Sequence, residues 1–128
     1  MSVHTVPQTT DDAVPRLIDG AFTREEKAAI HVLTHLDHVI TRPDFVERFV
    51  RDLEDGDDEL VIDWWELSVE LALNKVQLSQ GERVMVQLAL SLVGVQSFRL
   101  DHLQLVDTRN VEAALDAITF VATGRWSR

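Results

Sequence analysis

Apolar residues recur at steps of three and four along most of the chain beyond residue 22. This is the period of α-helices that bury one face against a core. The pattern restarts at capping residues and helix breakers, so several separate helices are expected. We therefore predict an all-α fold, a compact bundle of five to six helices. The predicted helices cover about residues 24–40, 44–53, 63–74, 80–93 and 110–122, with a short helix at about residues 101–106.

The starts of these helices carry recognisable signals. Thr23 and Ser79 each stand three residues before a glutamate, which is the capping-box pattern. Pro43 suits a first helical turn, where its missing N–H costs nothing. Asp63 is a good N-cap for the third helix, and either Asp107 or Thr108 can cap the last one. In the last helix, four apolar residues at helical spacing are expected to face inward: Val111, Leu115, Ile118 and Ala122.

The chain divides into two regions at about residue 21. Residues 1–21 contain Pro7 and Pro15 and show no sustained period, so we predict a flexible N-terminal arm. Residues 22–128 are predicted to form a single helical domain, since this length can bury a core.

Two predicted helices are apolar around most of their circumference. The third leaves only a narrow polar stripe of Glu66, Glu70 and Asn74, and the fourth is similarly apolar between residues 84 and 93. We expect both to be central helices that are covered by amphipathic neighbours.

Composition limits the partners and the compartment. A formal net charge of −10 opposes binding to nucleic acid and to acidic membranes. The chain has no cysteine, which excludes disulfides and thiol catalysis and fits a reducing interior. No long apolar run and no secretory signal is present. We expect a soluble, cytoplasmic protein.

Residues 55–66, with the sequence D-G-D-D-E-L-V-I-D-W-W-E, space their acidic residues as a calcium-binding loop does. The segment resembles an EF-hand, although Leu60 stands where that motif has glycine. The resemblance implies calcium ligands at positions 1, 3, 5, 9 and 12, which are Asp55, Asp57, Glu59, Asp63 and Glu66.

A second block, residues 100–105, echoes residues 62–67 at an offset of 38 residues. The echo resembles the paired helix-loop-helix of EF-hand domains, across residues 44–106. That pairing implies a minimal two-stranded ribbon between residues 60–62 and residues 98–100. The second loop has no carboxylate at the first ligand positions, so it would hold no ion.

Three histidines share one side of the first predicted helix. His31 and His35, or His35 and His38, are close enough to chelate one zinc ion. His31 and His38 lie about 10 Å apart along the helix axis, so all three cannot share one ion.

Nothing in the chain indicates a catalytic reaction. No zinc-protease motif, phosphate-binding loop or nucleophile elbow is present. We favour a non-catalytic, acidic interaction or accessory module that binds a protein partner or a second copy of itself. The alternative is a regulatory protein that binds calcium or zinc. Trp126, near the C-terminus, either packs back on the bundle or meets a partner.

Overall fold

The computed structural model of the protein describes residues 13–36, 39–40, 42–52 and 60–126. Within these residues, helices account for nearly all regular structure, and the predicted all-α class is confirmed. The sheet is a small antiparallel ribbon of two strands. The elements, in chain order, are α1 (Ala13–Gly20), α2 (Arg24–Thr34), α3 (Pro43–Phe49), β1 (Val50–Asp52), β2 (Leu60–Ile62), α4 (Trp64–Ala72), α5 (Gln80–Leu92), a 3₁₀ helix (Leu100–Leu105) and α6 (Thr108–Thr123).

The core is built around α2, which packs against both α5 and α6. As predicted, α5 is buried around most of its circumference. The face that α6 buries is made mainly of alanines, whose small side chains let two helix backbones approach closely. The predicted inward face of α6 is therefore wrong at Leu115, which is 54% exposed, and at Ala122, which is also exposed. The buried residues of α6 are Ala113, Ala114, Ala117 and Phe120.

The predicted helix starts are confirmed by their hydrogen bonds. In the capping box of α5, the Ser79 N–H donates to Glu82 Oε1 at 2.8 Å, and the Glu82 N–H donates to Ser79 Oγ at 3.2 Å. At the start of α2, the Glu26 N–H donates to Thr23 Oγ1 at 3.0 Å. At the start of α4, the Glu66 N–H donates to Asp63 Oδ1 at the same distance. Of the two candidates at α6, Asp107 is the cap. These helix starts could be predicted from local sequence, because a capping side chain bonds a backbone N–H only two or three residues away.

The predicted N-terminal arm is wrong for residues 13–20, which form α1 and pack on β2 and α2. Leu17 is fully buried, and Gly20 lies so close to the Leu60 carbonyl that a Cβ would have no room. Pro15 does not prevent this helix, because it lies in the first turn, where backbone N–H groups have no helical acceptor. Residues 1–12 lie outside the described residues.

Two predicted helices end earlier than expected. The first ends at Thr34 and not near residue 40, because the N–H groups of His35 and Leu36 bond three residues back and form a turn. The second ends at Phe49, where the chain extends into β1. The apolar residues that suggested longer helices are buried in the turn and in the strand instead: Leu36, Ile40 and Val50.

The predicted strand at residues 60–62 exists, but its predicted partner is wrong. β2 pairs with β1, with Val50 opposite Ile62 and Asp52 opposite Leu60. Residues 98–100 form no strand, and Leu100 begins the 3₁₀ helix. A hairpin needs only a short loop closure, which costs less entropy than pairing across 38 residues. Asp101 does not cap the 3₁₀ helix, because its carboxylate pairs with Arg99 at 2.9 Å.

Candidate interaction surface and ring-lined pocket

The helix α4 exposes an apolar face to solvent. Trp65, Val69 and Leu73 follow one another at four-residue steps, and we call these three residues the α4 stripe. Their exposed fractions are 68%, 37% and 58%. The prediction that this helix is buried nearly all round is therefore wrong. Only Leu67 and Leu71 of α4 are buried, since the helix packs on the bundle along a single side.

Several contacts hold α4 in place behind the stripe. The Asp63 side chain caps its first turn, and the Asp63 N–H donates to the Phe49 carbonyl at 2.7 Å. Arg48 of α3 forms an ion pair with Glu70 at 2.7 Å and donates to the Lys75 carbonyl at 3.0 Å. Both ends of α4 are thus tied to α3 and the hairpin. The stripe is presented by a helix whose position is already set.

The charge near the stripe is negative. Glu66 lies on α4, and the sequence between β1 and β2, residues 53–59, contains five further carboxylates. In the sequence, this segment directly precedes β2, which is followed by α4. An apolar stripe beside acidic residues matches a surface that combines apolar and basic groups.

The calcium ligands implied by the EF-hand resemblance divide into two groups. Asp55, Asp57 and Glu59 lie outside the described residues. Asp63 and Glu66 are described, and one carboxylate oxygen of Asp63 already accepts the cap bond from the Glu66 N–H. The helix that would lead into the loop ends at Phe49, and β1 follows it. Across the described ranges, no group of three His, Asp or Glu side chains is placed to hold a metal ion.

His31 and His35 are brought together as the sequence predicts, with ring centroids 4.5 Å apart. The His35 Nδ1–H donates to the His31 carbonyl at 2.9 Å, and the His35 Nε2 takes no part in this bond. His31 is the last-turn histidine of α2, whereas His35 is its C-cap. The third histidine of the predicted set, His38, lies outside the described residues.

Trp126 packs back on the bundle, which was one of its two predicted roles. Gly124 ends α6 with a left-handed φ of 77°, so the chain reverses and returns along the helix. The Trp126 indole stacks on Phe120 with centroids 4.1 Å apart and an interplanar angle of 3°. It also lies 4.5 Å from the His31 ring. These contacts hold Trp126 beside α2.

A half-open pocket of about 280 Å³ lies between α1, α2 and this C-terminal turn. Its lining residues are Ile18, Lys27, Ile30, His31, Thr34 and Trp126. The His31 Nε2 is buried and has no hydrogen-bond partner among the described residues. Burial, followed by the neighbouring charge of His35, lowers the pKa of His31, while Asp116 acts in the opposite direction.

Sequence reasoning missed both the α4 stripe and the pocket. The stripe had a signal, because Trp65, Val69 and Leu73 share a four-residue spacing that points away from Leu67 and Leu71. The pocket had no signal in the sequence, since it brings together His31 and Trp126, which are 95 positions apart in the chain.

Among the helices that the structure describes, none combines the length and the apolar character needed to cross a bilayer. Comparison of the chain with protein-family models, with curated proteins and with solved structures found no match.

Proposed function

We propose that the protein is a non-catalytic interaction module that binds a partner protein through the α4 stripe. The observation that carries this proposal is the exposure of Trp65 and Leu73 on a helix that is anchored from behind. Exposed apolar patches on stable proteins commonly mark binding surfaces. Tryptophan is also enriched among the residues that dominate binding energy, because its large ring buries much surface at low entropic cost.

The charge of the chain indicates the kind of partner. The net charge is −10, and the acidic run of residues 52–59 leads into α4. A basic partner would be steered toward this surface, whereas a second copy of the chain would be repelled by it. The proposed partner therefore presents apolar side chains with lysine or arginine beside them. Its binding should weaken as salt is added, because salt screens this attraction.

The test compares a stripe variant with a variant of an exposed leucine elsewhere. Trp65→Ser together with Leu73→Ser removes the two most exposed side chains of the stripe. Leu115→Ser, on α6, removes an apolar side chain that is 54% exposed and lies outside the stripe. Affinity-tagged forms of each protein would be incubated with an extract of the source cells at low and moderate salt, and retained proteins would be identified by mass spectrometry.

We expect the native chain and the Leu115→Ser variant to retain the same partner at low salt, and the double variant to lose it. Sedimentation of the purified chain separates this result from self-association. A partner that the double variant retains in full would contradict the proposal. A dimer that Trp65→Ser dissociates would assign the stripe to a second copy instead.

Cation binding is a second candidate, supported by the arrangement of His35. Its Nδ1–H donates to a backbone carbonyl, and this is the contact that commonly orients a histidine for metal binding through Nε2. Thermal melts with zinc, calcium, magnesium and a chelator test it, because binding to the native state raises the midpoint with metal concentration. His35→Gln should abolish a zinc shift, and Glu66→Gln a calcium shift. An unchanged midpoint with every metal would exclude this candidate.

A further inference from the structure

The pocket between α1, α2 and the C-terminal turn combines an apolar interior with polar groups along one side. Ile18 and Ile30 contribute aliphatic surface, and Trp126 contributes an aromatic ring. Lys27, His31 and Thr34 lie four and three residues apart on α2, so they share one face of that helix. Small-molecule sites typically have this composition, with a few convergent polar groups on a largely apolar lining.

One polar group in the pocket has unused binding capacity. Lys27 forms no ion pair with any described carboxylate. The Thr34 hydroxyl, in contrast, already donates to the His31 carbonyl at 2.8 Å. The His31 Nε2 has no hydrogen-bond partner in the described part of the chain, but it is shielded from solvent, so a molecule in the pocket does not reach it. Lys27 is therefore the group with which a ligand would pair.

The chemistry of Lys27 indicates an anion. Its ammonium supplies a positive charge and three N–H donors, and a carboxylate accepts bonds from it.

We propose that this pocket binds a small aromatic carboxylate, with its ring against Ile18, Ile30 and Trp126 and its carboxylate beside Lys27. An apolar cavity of about 150 Å³ accommodates benzene. The volume of about 280 Å³ is thus suited to two fused rings. An aromatic ligand gains ring contacts with Trp126 and with the His31 imidazole, and an aliphatic chain cannot make these contacts.

The test uses 2-naphthoate as the probe and 2-naphthylmethanol as its uncharged counterpart, with binding measured by titration calorimetry on the full chain. We expect saturable, one-to-one binding of naphthoate and binding of the alcohol that is about tenfold weaker, which corresponds to about 1.4 kcal/mol. The reason is that only the carboxylate forms a charge-assisted hydrogen bond with Lys27. Equal affinity for the acid and the alcohol, or no saturable binding of naphthoate, would overturn the proposal.

The chain offers a matched control because it has only two lysines, Lys27 and Lys75. Both are exposed, so replacing either should leave the fold intact. Lys27→Met should remove most of the preference for naphthoate, while Lys75→Met, which lies outside the pocket, should keep it. If the two variants behave alike, Lys27 does not bind the carboxylate and the proposed site is wrong.

Two further measurements test whether the aromatic rings contribute to binding and whether the carboxylate lies near His31. Octanoate has the carboxylate without the rings, and octanoate binding as tight as that of naphthoate would overturn the aromatic assignment. Bound naphthoate should also raise the pKa of His31, because a nearby negative charge favours the imidazolium, and NMR titration of the imidazole protons measures this shift. The α4 double variant should bind naphthoate normally, which keeps this test independent of the partner-binding test.

Discussion

His31 makes the stability of the protein depend on pH near neutrality. Burial, then the charge of His35, lowers its pKa below the usual 6.5, so the folded state takes up a proton less readily than the unfolded state. The stability that neutral His31 contributes is therefore fully present above pH 6.5. It is lost as the pH falls from 6.5 through the lowered pKa.

We predict that the urea midpoint of the native chain falls between pH 7.5 and pH 5.0, and that His31→Gln reduces this fall. Glutamine does not titrate, so the variant removes the contribution of His31 alone. The pKa values of Asp44 and Asp101 are lowered below 3.8, so these carboxylates affect stability only at lower pH. Parallel midpoint curves for the two proteins across this range would contradict the role assigned to His31.

At the scale of one element, the two sides of α4 should differ in how strongly a substitution lowers the free energy of unfolding. Leu71 is buried, whereas Leu73, two residues on, is 58% exposed. We predict that Leu71→Ala lowers the free energy of unfolding by about 2–5 kcal/mol, because it leaves a cavity. Leu73→Ala should change it by about 0.5 kcal/mol or less. Chemical denaturation of both variants measures the difference. Comparable losses would mean that Leu73 is covered.

The junction of α1 with β2 depends on a residue without a side chain. A Cβ at Gly20 would overlap the Leu60 carbonyl, and this backbone atom cannot move away cheaply. We predict that Gly20→Ala lowers the free energy of unfolding by about 1–3 kcal/mol through overpacking. Gly81→Ala is the control, because its Cβ would meet its nearest atom at an ordinary 3.6 Å. A melting temperature that Gly20→Ala leaves unchanged would show that α1 does not pack as described.

The elements show which kinds of information a sequence carries. The helix starts at Thr23, Ser79 and Asp63 were predictable, because a cap involves residues three positions apart. The ends of α2 and α3 were not, because buried apolar residues continue the helical spacing into the turn and the strand. The side of α4 that faces solvent was also missed, since an apolar residue at an interaction surface has the same pattern as one in a core.

At the scale of the whole molecule, the charge distribution opposes compactness. The chain carries a formal charge of −10, since 22 aspartates and glutamates stand against 12 lysines and arginines. We predict that raising sodium chloride from about 10 mM to about 200 mM increases the melting temperature by a few degrees, because salt screens the repulsion between carboxylates. Potassium chloride should act equally. A midpoint that falls with salt would mean that attractive pairs dominate.

The pocket and the fold differ in how far sequence could anticipate them. The all-α class followed from local periodicity, which each helix carries within its own residues. The pocket requires the contact of Trp126 with His31, which exists only once α6 has packed on α2. Its members have no shared motif, so the site emerges from tertiary structure alone.

The contact of α1 with β2 also has a consequence for the rate of folding. Gly20 and Leu60 are separated by 40 positions, and α1 makes more of its contacts with β2 than with α2. Such a long-range contact closes a large loop and is expected to form late. We therefore expect Gly20→Ala to accelerate unfolding more than it slows folding. During synthesis, α1 must wait for the hairpin to leave the ribosome before it can dock.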